Sequence, residues 1–174
     1  VIDAAANGAA SGLKLAMNVG AMLLAFVGLI ALVNGLFRGV GGWFDYPNLT
    51  LELILGYAFA PLAFLIGVPW SEAIVAGSFI GQKLIVNEFV AYLNFAPYLV
   101  EGADVVLTEK TKAIVSFALC GFANLSSIAI LLGGLGSLAP SRRQDIARFG
   151  LKAVLAATLS NLMSATIAGL FLSL

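Results

Sequence analysis

Two ionisable side chains stand where this chain can least tolerate them. Lys83 and Glu88 lie near the middle of a stretch from Trp70 to Tyr98, WSEAIVAGSFIGQKLIVNEFVAYLNFAPY, that is otherwise almost wholly apolar. A charge at the centre of a bilayer costs about 2.5–3.5 kcal/mol on insertion scales, so such a residue marks a partner or a task. A carboxylate accepts hydrogen bonds at both oxygens, and the nearby Gln82 and Asn87 can donate as well as accept. The chemistry on offer is the binding of a polar solute at membrane depth. Pro69 and Pro97 bound the stretch, which predicts two short apolar helices meeting at a polar tip. One leg runs from Trp70 to about Gly81 and the other from about Glu88 to Tyr98. At 1.5 Å per residue, each leg covers roughly half of the hydrocarbon thickness. The expectation is a re-entrant hairpin with Glu88 offered to a cavity, where Gln82, Asn87 and Glu88 satisfy the backbone groups freed at the tip. The alternative is one spanning helix with Lys83 and Glu88 paired at i, i+5, a poorer spacing for a helical ion pair than i, i+3 or i, i+4.

Other chemistries have few residues to work with. The chain has 174 residues, 61% hydrophobic and 10% charged, with a mean hydropathy of +1.04. Soluble domains run near 25% charged, so this is an integral membrane protein. Lys+Arg 9 against Asp+Glu 9 gives a formal net charge of +0, and nothing points to nucleic acid. There is no histidine, and Cys120 is the single cysteine. That removes disulfide frameworks, histidine-bearing zinc sites and histidine general bases. An intramembrane enzyme would need a nucleophile–base pair, a metal cluster or paired aspartates. Asp3, Asp45, Asp104 and Asp145 all lie outside the apolar cores, so the reading is not an enzyme and no cofactor is expected. The chain opens on Val1 without a basic leader or cleavage site, and its first residues already read as helix. It is therefore expected to be part of a longer protein.

The elements that must hold the polar centre follow from the punctuation. Leu15 to Phe37 carries no charge and predicts a spanning helix extending from about Ala4 to about Phe44, flanked by Lys14 and Arg38. Gly20, Gly28 and Gly35 mark a small-residue seam suited to close helix packing. Asp45-Tyr46-Pro47-Asn48 ends it. Leu51–Val68, with Thr50 as a candidate cap, Glu52 in its first turn and Pro61 inside, reads as a helix lying at the membrane surface rather than crossing it. Glu101–Lys112 is a polar loop, with Thr108 as cap and Glu109 in the first turn of the next helix. From Ala113 to Ser141 no residue is charged, but Cys120-Gly121-Phe122-Ala123-Asn124-Leu125-Ser126-Ser127 interrupts the run. A broken helix there would expose half-helix ends as a polar site, with Asn124 and Ser127 on one face. The same residues could instead bond between packed helices. Gly133-Gly134-Leu135-Gly136 lacks the context of a nucleotide loop and reads as packing. Pro140 stops the helix and Ser141 could cap the last one. Arg142, Arg143, Arg148 and Lys152 face Asp145 alone, which puts this turn in the cytoplasm by the positive-inside rule. Ala153–Leu174 then crosses outward, with Ser160, Asn161 and Ser164 as a polar packing face.

The sequence is all-α: a long helix (1–48), a surface helix (49–69), a hairpin (70–100), then a broken helix and a final helix (101–174). That is the layout of one repeat of an inverted-repeat transporter. Asn87-Glu88-Phe89-Val90-Ala91-Tyr92, followed by Cys120-Gly121-Phe122-Ala123-Asn124-Leu125-Ser126-Ser127-Ile128, resembles the concentrative nucleoside transporter family. The likeness continues through Gly133-Gly134-Leu135-Gly136 and the arginine turn, over essentially the whole chain, as the C-terminal part of a bacterial member. It implies sodium- or proton-driven nucleoside uptake at the inner membrane by a homotrimer, with a mobile transport domain moving against a scaffold that includes the first helix. It also implies that Glu88, Asn124 and Ser127 hold the ribose and that Phe122 lines the site near the base. The base-reading hairpin and the sodium site are expected in an earlier repeat, outside these residues. The competing readings are an ion-coupled symporter or channel for another small polar solute, and a structural subunit in which Lys83 and Glu88 only pair with neighbouring helices.

Overall fold

The computed structural model describes residues 2–100 and 106–174, and within them not the side chains at 15, 18, 19, 22, 23, 26 and 133–138. The packing expected at Gly133-Gly134-Leu135-Gly136 and the Glu101 and Asp104 end of the polar loop lie outside the described residues. The chain divides into two compact units, 1–51 and 52–174. All regular structure among the described residues is helical.

In the first unit, α1 (Ile2–Gly42) is a helix of 41 residues, about 60 Å long at 1.5 Å per residue. A Cβ placed at Gly20, Gly28 or Gly35 would meet nothing within 4 Å among the described residues. Asp45 ends the helix in the left-handed region, at φ 59°. An Asp tolerates that conformation at the end of a helix because its short side chain crowds the backbone little. The free carbonyl of Gly41 accepts from Phe44 N at 3.0 Å and from Tyr46 N at 2.8 Å. Asn34 Oδ1 accepts from Leu51 N at 2.7 Å and draws the departing chain back along α1.

The second unit is built on α2 (Leu51–Leu65), α3 (Trp70–Ile85), α4 (Glu88–Phe95), α5 (Glu109–Leu119), α6 (Leu125–Leu138) and α7 (Arg143–Phe171). Short 3-10 turns follow α4 and precede α7. Proline and glycine at 67–69 turn the chain by 115° between α2 and α3. Backbone packs on backbone there: a Cβ on Gly77 would lie 2.8 Å from Ala60 N, Gly56 O and Phe59 C. The core runs through α3, α4, α5 and α7, with Phe79, Phe95, Ile114, Leu119 and Leu162 buried. Phe79 packs on the rings of Phe95 and Tyr98 at 5.2 and 5.3 Å. Both α5 and α6 lie along α7.

Element lengths separate the helices. Among the described residues, α7 with its leading turn, Pro140–Phe171, is the one helix long and apolar enough to cross a bilayer alone. Leu151, Leu155, Leu159, Met163, Ile167 and Leu170 are exposed along it, an apolar face suited to hydrocarbon. With 16 residues in α3 and 8 in α4, neither reaches the roughly 30 Å of a hydrocarbon core. The chain is broken at Val86-Asn87, so Lys83 and Glu88 do not share one helix. Two expectations need correcting. α3 continues one turn beyond Gly81, so Gln82 and Lys83 sit on helix rather than in the tip. Ser141 does not cap α7. It lies inside a 3-10 turn, Arg142 holds the cap position without a side-chain cap bond, and the Arg142 guanidinium instead pairs with Asp145.

Because Gly77 touches backbone that cannot swing aside, overpacking is costly there. Gly77→Val is expected to lower the stability of the full-length protein by about 1–3 kcal/mol. It should appear as a reduced melting temperature in detergent.

Candidate substrate site

Two helix ends meet across the Val86-Asn87 break, and each puts its charge where its own dipole favours it. Lys83 stands on the last turn of α3, where the unpaired carbonyls carry partial negative charge. Glu88 stands on the first turn of α4, at a partially positive end. Lys83 is only 2% exposed, yet it makes no ion pair with Glu88. Between them, Asn87 caps α4, its Oδ1 accepting from Val90 N at 2.9 Å.

The break between α5 and α6 supplies the opposite wall. Asn124 is fully buried, at 0% exposure. Its Oδ1 accepts from Ser127 N at 2.8 Å and from Ser126 Oγ at 2.6 Å, which satisfies donors at the start of α6. Ser127 Oγ donates to Asn124 O at 2.6 Å. With its carbonyl oxygen committed, Asn124 turns its Nδ2 across to α4 and donates to Glu88 Oε2 at 2.7 Å. That bond joins residues 36 apart in sequence. Among the described residues, Glu88 Oε1 has no hydrogen-bond partner.

Of the residues named from sequence, the structure brings Glu88, Asn124 and Ser127 into one bonded cluster. Phe122 is 61% exposed. Its ring and Ser127 line a cavity of about 320 Å³ with Ala123, Val154, Ala157 and Asn161. Among the described residues, no group of three or more acidic or thiol side chains could hold a metal ion.

Sequence reading missed the contacts that hold α3, α4 and α5 together. Glu72 Oε2 accepts from Thr108 N at 3.2 Å and from Thr108 Oγ1 at 3.0 Å. Thr108 also caps α5, as its position before Glu109 predicted. Tyr92 Oη donates to Ser116 O at 2.9 Å, and Asn94 Nδ2 donates to Gln82 Oε1. The Gln82 Nε2 is buried without a partner among the described residues.

The Glu88–Asn124 bond can be tested by exchanging its ends. Asn124→Asp would set two carboxylates against each other and should cost about 2–3 kcal/mol of stability. The double variant Glu88→Gln/Asn124→Asp restores a donor facing a carboxylate, with the charge moved across the pair. Its melting temperature should return most of the way to the parent's, and a double no better than Asn124→Asp would show that the pair is not formed.

Comparison with known proteins places this geometry. The family described as "Na+ dependent nucleoside transporter C-terminus" matches residues 1–169. An uncharacterized transporter of Haemophilus influenzae is 67% identical over 175 residues, covering 100% of this chain and 42% of that protein. The nucleoside permease NupC of Helicobacter pylori is 60% identical over 173 residues, covering 99% and 41%. The solved structure of CNTnw in an inward-facing substrate-bound state superimposes with a TM-score of 0.93 at 65% identity, over 98% of this chain and 41% of that one. The chain thus spans about two fifths of the length of these bacterial relatives, which are transporters and permeases rather than enzymes. On that evidence it belongs to the concentrative, Na+-dependent nucleoside transporter family and corresponds to the C-terminal part of its members.

Proposed function

We propose that this chain is the ribose-binding half of an ion-coupled nucleoside symporter working by alternating access. The observation that carries the reading is the hydrogen bond from Asn124 Nδ2 to Glu88 Oε2, which unites the two motifs of the family likeness in one cluster. The valences of that cluster suit a sugar. Glu88 keeps Oε1 open, and its oxygens can accept from both hydroxyls of a vicinal diol. Asn124 has its carbonyl oxygen spent and one N–H left to offer. Ser127 Oγ donates to backbone and retains acceptor capacity. Phe122, which lines the neighbouring cavity, would offer a ring face to a base.

The arrangement in the membrane follows from the same reading. Residues 70–100 form a re-entrant hairpin, since α3 and α4 are too short to cross. α2 lies at the interface, and residues 101–174 complete the transport domain with the broken helix and α7. Residues 1–48 serve the scaffold of a homotrimer, whose neighbours would meet the glycine seam of α1. The coupling ion is sodium or a proton, and the family description favours sodium; its ligands lie beyond these residues. The turn at Arg142-Arg143 faces the cytoplasm of an inner membrane, by the positive-inside rule.

Uridine titration by calorimetry on the full-length protein tests this. Glu88→Gln should weaken binding at least about 100-fold, because the hydroxyls it leaves are buried without an ionic acceptor. A 2′-deoxynucleoside should compete less well than the ribonucleoside. Binding that survives Glu88→Gln assigns the carboxylate to coupling or structure. No binding to the parent would favour the symporter for another polar solute.

A further inference from the structure

Asn161 sits in the middle of α7, on the face that the sequence marked as polar packing, and outside the two motifs that carry the family likeness. Its carboxamide fills the space beside the Cα of Gly121: a Cβ built there would fall inside the van der Waals envelope of Asn161 Nδ2, Cγ and Oδ1. Gly121 opens the break between α5 and α6, one residue before Phe122 and three before Asn124. The same carboxamide lines the cavity that Phe122 and Ser127 share. Asn161 is half-buried and no hydrogen bond ties its carboxamide to another described residue, so simple bonding between packed helices does not account for an amide at this place. α7 is a continuous helix and a fixed reference beside the break.

We propose that Asn161 is a positioning residue: wedged against Gly121, it sets the α5–α6 break so that Asn124 meets Glu88 and Ser127 faces the cavity. The proposal rests on the ribose-site reading for its effect on substrate, but the wedge itself does not. A glycine is required at 121 because the Asn161 head group occupies the side-chain space. Each residue should therefore tolerate change only when the other changes with it.

The test is a double-mutant cycle in the full-length transporter, read by uridine KM in proteoliposomes and by melting temperature in detergent. Gly121→Ala drives a methyl into the amide, and Asn161→Ala removes the wedge. Each alone should raise KM about tenfold, since small misplacements at a binding site are costly. In the double variant, the new methyl takes up part of the vacated volume. KM and melting temperature should then be better than in Gly121→Ala, with strong non-additivity. Discrimination of ribose from 2′-deoxyribose should fall in Asn161→Ala and recover in part in the double. Effects that simply multiply to about a hundredfold would overturn the wedge. Coupled melting temperatures with parental KM and discrimination in Asn161→Ala would reduce it to packing and overturn the positioning role. A parent that binds no uridine would sink the ribose reading, while the melting cycle would still decide the wedge.

Discussion

A helix broken inside an apolar chain leaves backbone donors and acceptors that hydrocarbon cannot satisfy. Two of the breaks described in the second unit, at Val86-Asn87 and at Cys120–Asn124, are each closed by an asparagine. Asn87 caps α4 and Asn124 caps α6. Both cap through the side-chain oxygen, but the Asn124 amide also reaches across to Glu88. The polar cluster is thus assembled from the groups that make the breaks tolerable. A substitution at Asn124 disturbs the fold and the cluster together.

The same economy explains how two ionisable groups survive in an apolar hairpin. Lys83 and Glu88 occupy helix ends of matching polarity on either side of one break. They need not touch to be favoured there. Bonds from Thr108 to Glu72 and from Tyr92 to Ser116 fasten the two hairpin helices to α5, and Asn94 to Gln82 joins them to one another. A cluster held from several sides loses little freedom when it takes a ligand, and preorganisation of that kind is where affinity is gained.

The helices and their breaks were legible because Pro, Gly and Asn stand out sharply in a run with no charges. Thr108 before Glu109 announced a cap and was one. Errors came where a signal was local and ambiguous. Gln82 and Lys83 are good helix formers, and α3 simply continued through them. Ser141 lost the cap position because Pro140 favours a 3-10 turn that places Arg142 at the start of α7. The long-range contacts were not legible at all. Whether Glu72 meets Thr108, or Asn161 meets Gly121, depends on how each helix is rotated about its axis. An α7 with both Ser160 and Asn161 as candidates does not fix that rotation. The meeting of Glu88 with Asn124 came only from the likeness to a family, since nothing in either motif points to the other.

The donor and acceptor count constrains what such a cluster can select, on the reading that it binds solute. Asn124 Oδ1 is taken by Ser127 N and Ser126 Oγ, so the cluster has little acceptor capacity outside Glu88 and Ser127. What remains is a carboxylate with one open oxygen, a single amide hydrogen and a hydroxyl lone pair. A solute must therefore bring at least two donors, and an anion is repelled. A lone ammonium could satisfy the carboxylate, but it would leave the amide hydrogen unanswered. A diol answers the carboxylate and the amide: each hydroxyl donates to the carboxylate, and one of them accepts from the amide, which leaves the Ser127 lone pair for another donor of the solute. A solute lacking one hydroxyl strands a buried group, and that penalty rather than contact area sets the discrimination.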